Sequence, residues 1–126
     1  MDDASYPLDT LLDYYRAFST LDVTAIVAFF CEPSMTIAPQ GIVSAPNRAA
    51  LADSLAPLIA GLKSRGYGRS EFVQSQVTML GDAAALVRGV AVRYRAAGPE
   101  LERVPLSYVM YRGDGGWKIA VLIVGG

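Results

Sequence analysis

The chain has 126 residues, of which 52% are hydrophobic and 18% are charged, enough for one compact domain and too few for two ordinary ones. This composition excludes a disordered chain, and no apolar run reaches the roughly 20 residues that a membrane-spanning helix needs. The 11 basic and 12 acidic residues form no basic stripe, so we expect neither a nucleic acid nor a membrane as partner.

The residue types that are missing limit the chemistry. There is no histidine and one cysteine, Cys31, which excludes Ser-His-Asp and Cys-His catalysis and the usual zinc sites. We therefore expect no metal and no cofactor. Asp2 and Asp3 follow Met1 without a basic or apolar segment, so no signal peptide is expected and a reducing, cytoplasmic location is predicted.

Two helices are predicted near the N-terminus. Apolar residues recur at spacings of three and four over residues 8–20, which predicts an amphipathic helix. Asp22 is placed to cap a second, short helix that extends to about Phe30. Pro33 is expected to stop this second helix.

The next segment is predicted to hold two short strands and a long helix. The strands cover residues 35–38 and 42–44, with a turn between them. The helix opens at Ala45-Pro46, runs to Arg65 and is kinked by Pro57. Its predicted buried face consists of Leu51, Leu55, Leu58, Ile59 and Leu62.

The rest of the chain is predicted to be β. Turn residues separate four strands over residues 70–80, 83–96, 101–112 and 117–124. In the first of them, Val73, Val77 and Met79 are predicted to share one face. Consecutive hairpins imply an antiparallel sheet, and helices that precede strands predict an α+β domain.

This element order resembles the nuclear transport factor 2-like superfamily, in its ketosteroid isomerase and SnoaL-like branch. The resemblance rests on residues 11–22, 26–30, 35–41 and 115–119 and covers nearly the whole chain as one domain, 1–126. It implies a cone-shaped, strongly curved, mostly antiparallel sheet wrapped around a long helix, with two N-terminal helices. It also implies an apolar pocket in the cone and a homodimer formed through the outer sheet face.

The resemblance to ketosteroid isomerases extends to some functional positions. Tyr14, eight residues before the cap Asp22, matches the tyrosine that donates to a developing oxyanion. The catalytic aspartate of those enzymes precedes a proline in the first strand, where this chain has Ala38. Their second donor, a protonated aspartate, matches Ser107. Tyr14 and Ser107 are therefore the best catalytic candidates, while the usual isomerase base is absent.

Other members of the superfamily offer less. The cyclases and scytalone dehydratase resemble histidine and aspartate users, and limonene epoxide hydrolase needs carboxylates inside strands. Here Glu71, Glu100 and Glu102 lie at strand ends or beside a turn. A proton-abstracting carboxylate would have to come from a short list: Asp13, Glu32, Asp53 or Glu71.

Several candidates also have a structural interpretation. Tyr14 fits a core or interface position, and Ser107 fits a space-filling one. Arg88, inside an apolar strand, fits a pair at a dimer face or an anion site. Arg93 and Arg95 are predicted to share a solvent-exposed face. Cys31 is interpreted as a buried, inert thiol, and Trp117 as a side chain packed under the sheet.

Three functions remain open at this point. The first is a dimeric protein that binds a small apolar or amphipathic molecule. The second is an isomerase, cyclase or dehydratase with Tyr14 as electrophile, and the third is a dimeric interaction module. The predicted ligand-binding residues are Tyr14, Phe18, Phe30, Ile37, Leu55, Ile59, Leu62, Val73, Ser107, Val109, Val121 and Ile123.

Overall fold

The computed structural model describes residues 6–125 and contains three helices in that part of the chain. Helix α1 spans Pro7–Phe18, α2 spans Val23–Val27 and α3 spans Arg48–Ser64. The Asp22 side chain accepts a hydrogen bond from the Thr24 amide, and Asn47 caps α3 by accepting from the Ala50 amide, as expected for residues at helix N-termini. None of the described helices is long and apolar enough to cross a membrane.

Six strands of the described chain form one curved sheet in the order β2-β1-β6-β5-β4-β3. All neighbouring strands are antiparallel except β1 and β6, which are parallel. The predicted α+β fold is therefore confirmed. The strands are β1 Phe30–Ala38, β2 Gly41–Ala45, β3 Tyr67–Met79, β4 Ala84–Arg95, β5 Glu100–Gly113 and β6 Gly116–Val124.

The prediction that Pro33 ends α2 was wrong. The helix ends at Val27 and β1 already begins at Phe30, so Pro33 lies inside the strand, after a cis peptide bond to Glu32. The pairing of β1 with β6 is irregular between Phe30 and Met35. Proline has no amide hydrogen to donate to a neighbouring strand, so it is tolerated where the pairing of two strands is already irregular.

The predicted common face of Val73, Val77 and Met79 was also wrong. The β3–β4 register shifts between Val73 and Gln76, and Gln74 within this irregularity has a φ of 55°. An extra residue in one strand reverses the side-chain alternation beyond it. Val73 therefore lies on one face of the sheet, opposite Val90, and Val77 lies on the other, opposite Val87.

The two faces of the sheet differ in what covers them. The inner face carries the aromatic core, in which Tyr15 of α1 packs on Phe72 of β3 and Tyr108 of β5. Trp117 is buried in this core, as predicted. The outer face carries Ile37, Val109 and other apolar residues that are half-buried. The core side of the sheet is thus where helices and strands can enclose a cavity.

Helix α3 covers part of this inner face. Leu51, Ile59 and Leu62 are buried as predicted, and Pro57 lies within the helix. Leu58 was predicted to be buried but is 39% exposed.

Candidate functional site

A cavity of about 420 Å³ lies between α1, α3 and the inner face of the sheet. Most of its wall is apolar, because α3, β5 and β6 contribute mainly aliphatic side chains and α1 contributes aromatic ones. Its polar groups come from hydroxyls, one glutamine and one arginine. The lining residues are Tyr14, Tyr15, Phe18, Thr36, Ala38, Gln40, Val43, Ser54, Leu55, Leu58, Ser70, Ala91, Arg93, Val104, Leu106, Tyr108, Leu122 and Val124.

Tyr14 lies in the aromatic wall of the cavity and is 5% exposed. Its ring meets those of Phe18, Phe30 and Tyr108 edge to face, with centroids 6.0, 5.7 and 6.1 Å away. The Tyr14 hydroxyl makes no hydrogen bond to any residue between 6 and 125. Burial raises the pKa of Tyr14 far above its usual value, so at neutral pH this group is a hydrogen-bond donor and not a base.

A second pair of hydroxyls lies beside Tyr14. The Tyr15 and Tyr108 hydroxyl oxygens are 2.7 Å apart, which leaves one of the two hydrogens free for another acceptor. Burial raises the pKa of both phenols. This pair joins α1 to β5 and holds the wall in which Tyr14 lies.

Arg93 contributes a cation to the cavity, contrary to the prediction that it faces solvent. It lies on the inner face of β4 opposite Glu102 of β5, and its side chain is 13% exposed. Arg93 Nη1 donates to Glu102 Oε2 at 2.5 Å, and its guanidinium carbon lies 5.6 Å from the centre of the Phe18 ring. Arg95 is exposed as predicted and donates to the Arg65 carbonyl oxygen.

Glu102 links two arginines at this end of the cavity. It accepts from Arg93 and also from Arg65 Nη2, at 3.0 Å. Burial opposes its ionisation, but these hydrogen bonds and charges outweigh that effect and lower the pKa of Glu102. The carboxylate is therefore ionised at neutral pH and serves as counter-ion to the arginines.

The predicted ligand-binding residues fall into three groups. Tyr14, Phe18 and Leu55 line the cavity, whereas Phe30, Ile59 and Leu62 are buried in the core without reaching it. The remaining six lie on the outer face, as their register partners and the alternation of the strands show. These six are Ile37, Val73, Ser107, Val109, Val121 and Ile123.

Ser107 therefore does not join Tyr14, and its assignment to the cavity was wrong. Its neighbours in β5, Leu106 and Tyr108, line the cavity, and successive residues of a strand point to opposite faces. Ser107 lies instead in an outer-face depression of about 330 Å³, together with Gln74, Gln76 and Arg88.

None of the carboxylates proposed as a base lines the cavity. Asp13 pairs with Arg16, Glu32 with Arg48 and Glu71 with Arg69. Asp53 is exposed on α3. The cavity wall formed by the described residues thus holds hydrogen-bond donors and one cation, but no group that could abstract a proton at neutral pH.

The remaining candidates do not form a reactive or metal-binding centre within the described chain. Cys31 is half-buried instead of fully buried, and burial raises the pKa of its thiol. Residues 6–125 contain no group of three or more cysteine and acidic side chains that could hold a metal ion.

Sequence reasoning missed Arg93 and Tyr108 as site residues because it assigned the residues of β4 and β5 to the wrong faces of the sheet. One signal was present in the sequence. The turn at 97–100 places Arg93 across from Glu102 in a hairpin, and opposite charges on paired strands favour a common face. That face also contains Leu106 and Tyr108, which would have identified the inner positions of β5.

Solved structures of other proteins share this fold. A structure from Nostoc punctiforme, of unknown function and with a cystatin-like fold, matches with a TM-score of 0.74 at 11% identity, covering 93% of this chain and 85% of that one. An NTF2-like protein from Novosphingobium aromaticivorans gives 0.74 at 18% identity, with coverages of 92% and 76%. A ketosteroid isomerase-like protein from Erwinia carotovora atroseptica gives 0.68 at 16% identity, with coverages of 98% and 95%.

At these identities, the structural matches show a shared fold and carry no information about activity. No curated protein matches the sequence significantly. The family model described as "NTF2-like protein (DUF6841)" matches residues 8–126, which is nearly the entire chain. The cone of sheet and helices, the order of its strands and this match together show that the chain belongs to the NTF2-like family.

Proposed function

We propose that the protein binds a small, largely apolar molecule in the cavity under its sheet. The observation that carries the proposal is a mainly apolar cavity of about 420 Å³ into which a few polar groups converge, a combination typical of ligand sites. Tyr14, which lines the cavity, supplies a hydroxyl without a partner in residues 6–125. A ligand acceptor would give that donor a hydrogen-bond partner inside the cavity.

The lining favours binding over catalysis by the isomerase mechanism. An isomerase of this family would need a base beside its tyrosine, and Ala38 has no atom that accepts a proton. We expect isomerisation of a β,γ-unsaturated steroid ketone to be absent or very slow, because loss of a general base typically costs about a hundred- to ten-thousand-fold in rate. An ultraviolet assay for the conjugated product tests this, and rapid turnover would revive the enzyme alternative.

Binding itself is tested with N-phenyl-1-naphthylamine, an uncharged dye that becomes fluorescent in apolar surroundings. We expect saturable binding to the natural protein. Ala38→Trp places a large side chain on the cavity wall and is expected to abolish the signal. Ala60→Trp makes the same change at an exposed position of α3 outside the cavity and should leave it intact.

Equal dye binding by both variants would place the dye elsewhere on the protein. No saturable binding by the natural protein, at dye concentrations up to its solubility limit, would contradict the proposed function. Circular dichroism of each variant shows whether the fold is retained.

We further propose that the outer sheet face pairs with a second copy of the chain. The helices lie on the inner face, while Ile37, Val109, Val121 and Ile123 remain half-buried on the outer one. Apolar residues on both faces of a sheet favour cover on both.

A further inference from the structure

We propose that the cavity selects ligands that carry one carboxylate group on an apolar body, and that Arg93 is the residue that binds this carboxylate. The inference deepens the proposed function and rests on it. It names a chemical class, amphipathic monoanions, and one specificity-determining side chain.

The charges at this end of the cavity do not balance. Arg93 is the one charged side chain among the described residues of the lining. Its counter-ion Glu102 is shared with Arg65, so two guanidinium groups face one carboxylate. The cluster therefore has a surplus of positive charge, which a ligand anion would balance.

Arg93 has hydrogen-bond donors that the protein does not use. A guanidinium has five N–H donors, and the contact with Glu102 uses Nη1. Nε is buried without any partner and is closed off from the cavity, so Nη2, which makes no hydrogen bond to a residue between 6 and 125, is the donor left for a ligand. Buried donors of a cation are normally paired, so the protein by itself leaves this group incompletely satisfied.

Arg93 is also held in place at the cavity wall. The Phe18 ring lies beside its guanidinium carbon, at 5.6 Å, and Glu102 fixes one terminal nitrogen. Ser70, which also lines the cavity, is the cross-strand partner of Arg93. The Ser70 and Tyr67 hydroxyl oxygens are 2.6 Å apart. If Tyr67 donates in that bond, the Ser70 hydroxyl hydrogen is free for an anion.

These features fit a carboxylate better than other anions. The planar guanidinium matches the planar carboxylate, and the rest of the wall is mostly apolar. A phosphate ester would bring up to two charges and three strongly hydrated oxygens into surroundings that offer one arginine.

The test compares two probes of nearly the same shape, 1-naphthylacetate and its uncharged analogue 1-naphthylacetamide, by calorimetry at pH 7. We expect the carboxylate to bind at least about tenfold more tightly than the amide, the effect of one charged hydrogen bond. Arg93→Met should remove this preference while the amide still binds. Arg88→Met makes the same change of charge on the same strand, at an exposed outer-face position, and should retain the preference.

Each outcome is decisive. Equal affinities for the two probes, or a preference that persists in Arg93→Met, would overturn the assignment and leave the proposed function standing. If neither probe binds to a protein that binds the uncharged dye, the inference is wrong and the proposed function stands; if the dye does not bind either, both are wrong. Should Arg93→Met fail to fold, Arg93→Gln takes its place, since it keeps hydrogen-bond donors while removing the charge, and it should likewise lose the preference for the carboxylate.

Discussion

Tyr14 and Tyr15 are adjacent in the sequence but have different roles. Successive residues of a helix are rotated by about 100°, so the two rings leave α1 in different directions. The Tyr15 hydroxyl bonds to Tyr108, while that of Tyr14 has no partner in the described chain. Sequence reasoning singled out Tyr14 through a family pattern but had no means of locating the hydrogen-bond partner of Tyr15, which lies 93 residues away.

Replacing Tyr14 by Phe should weaken ligand binding and leave stability almost unchanged. The change removes a hydroxyl that the described protein does not use, so the loss is one ligand hydrogen bond, about 0.5–1.5 kcal/mol. Calorimetry with 1-naphthylacetamide measures the affinity, and a thermal melt measures the stability. A lower melting temperature with unchanged affinity would mean that the hydroxyl is structural.

Replacing Tyr15 or Tyr108 by Phe should, unlike the change at Tyr14, reduce the stability of the protein. Each single change leaves the other buried hydroxyl without its partner, and we expect a loss of about 1–3 kcal/mol in the free energy of unfolding. In the double variant both hydroxyls are gone, so the loss should be smaller than the sum of the two. Urea denaturation of the three variants measures this coupling, and strictly additive losses would show that the hydrogen bond contributes nothing.

At the level of elements, the bulge in β3 decides which of its own side chains lie on the inner face of the sheet. The sequence was sufficient for the number of helices and strands and for most of their bounds, because periodicity and turn residues are local signals. It was not sufficient to predict which residues of each strand lie on the inner face, since a shift of one residue in the strand register moves every side chain to the other face. Ser107 was placed beside Tyr14 through the resemblance to ketosteroid isomerases, and Arg93 was placed in solvent; the alternation along β4 and β5 corrects both.

Gly89 shows how closely the strands and the aromatic core fit together. A Cβ at this position would lie 2.5 Å from Phe72 Cζ and 2.9 Å from the Val73 carbonyl oxygen. The Phe72 ring cannot easily move away, because it packs on Tyr15 and Tyr108 with centroids 5.1 and 5.7 Å apart. We expect Gly89→Ala to reduce the free energy of unfolding by about 1–3 kcal/mol.

The matched control is Gly61→Ala in the last turn of α3. Nothing lies within 4 Å of the Cβ that this change would add, and alanine is favoured over glycine in a helix by about 0.5–1 kcal/mol. Urea denaturation should therefore show changes of opposite sign. A neutral Gly89→Ala would mean that the Phe72 ring has room to shift.

At the scale of the whole molecule, the composition anticipated the architecture. A chain that is 52% hydrophobic has more apolar surface than a small core needs, so the surplus must go into a core, a lined cavity, a subunit interface or all three. Part of these apolar residues form the core, and a further part line the cavity. The outer face accounts for the rest, with Ile42 65% exposed and Val121 half-buried.

The last prediction concerns this outer face. We expect the protein to sediment as a homodimer at micromolar concentration, because a stable interface needs about 800 Å² from each partner and the outer face is the broad apolar surface that the helices leave uncovered. Val121→Glu puts a charge on β6 in the interior of the sheet and should shift the protein to monomers, since an unpaired charge in an interface is costly. Leu12→Glu introduces the same charge on the exposed side of α1 and should leave the dimer intact. A natural protein that sediments as a monomer, or a Val121→Glu variant that remains folded and dimeric, would exclude the outer face as the interface.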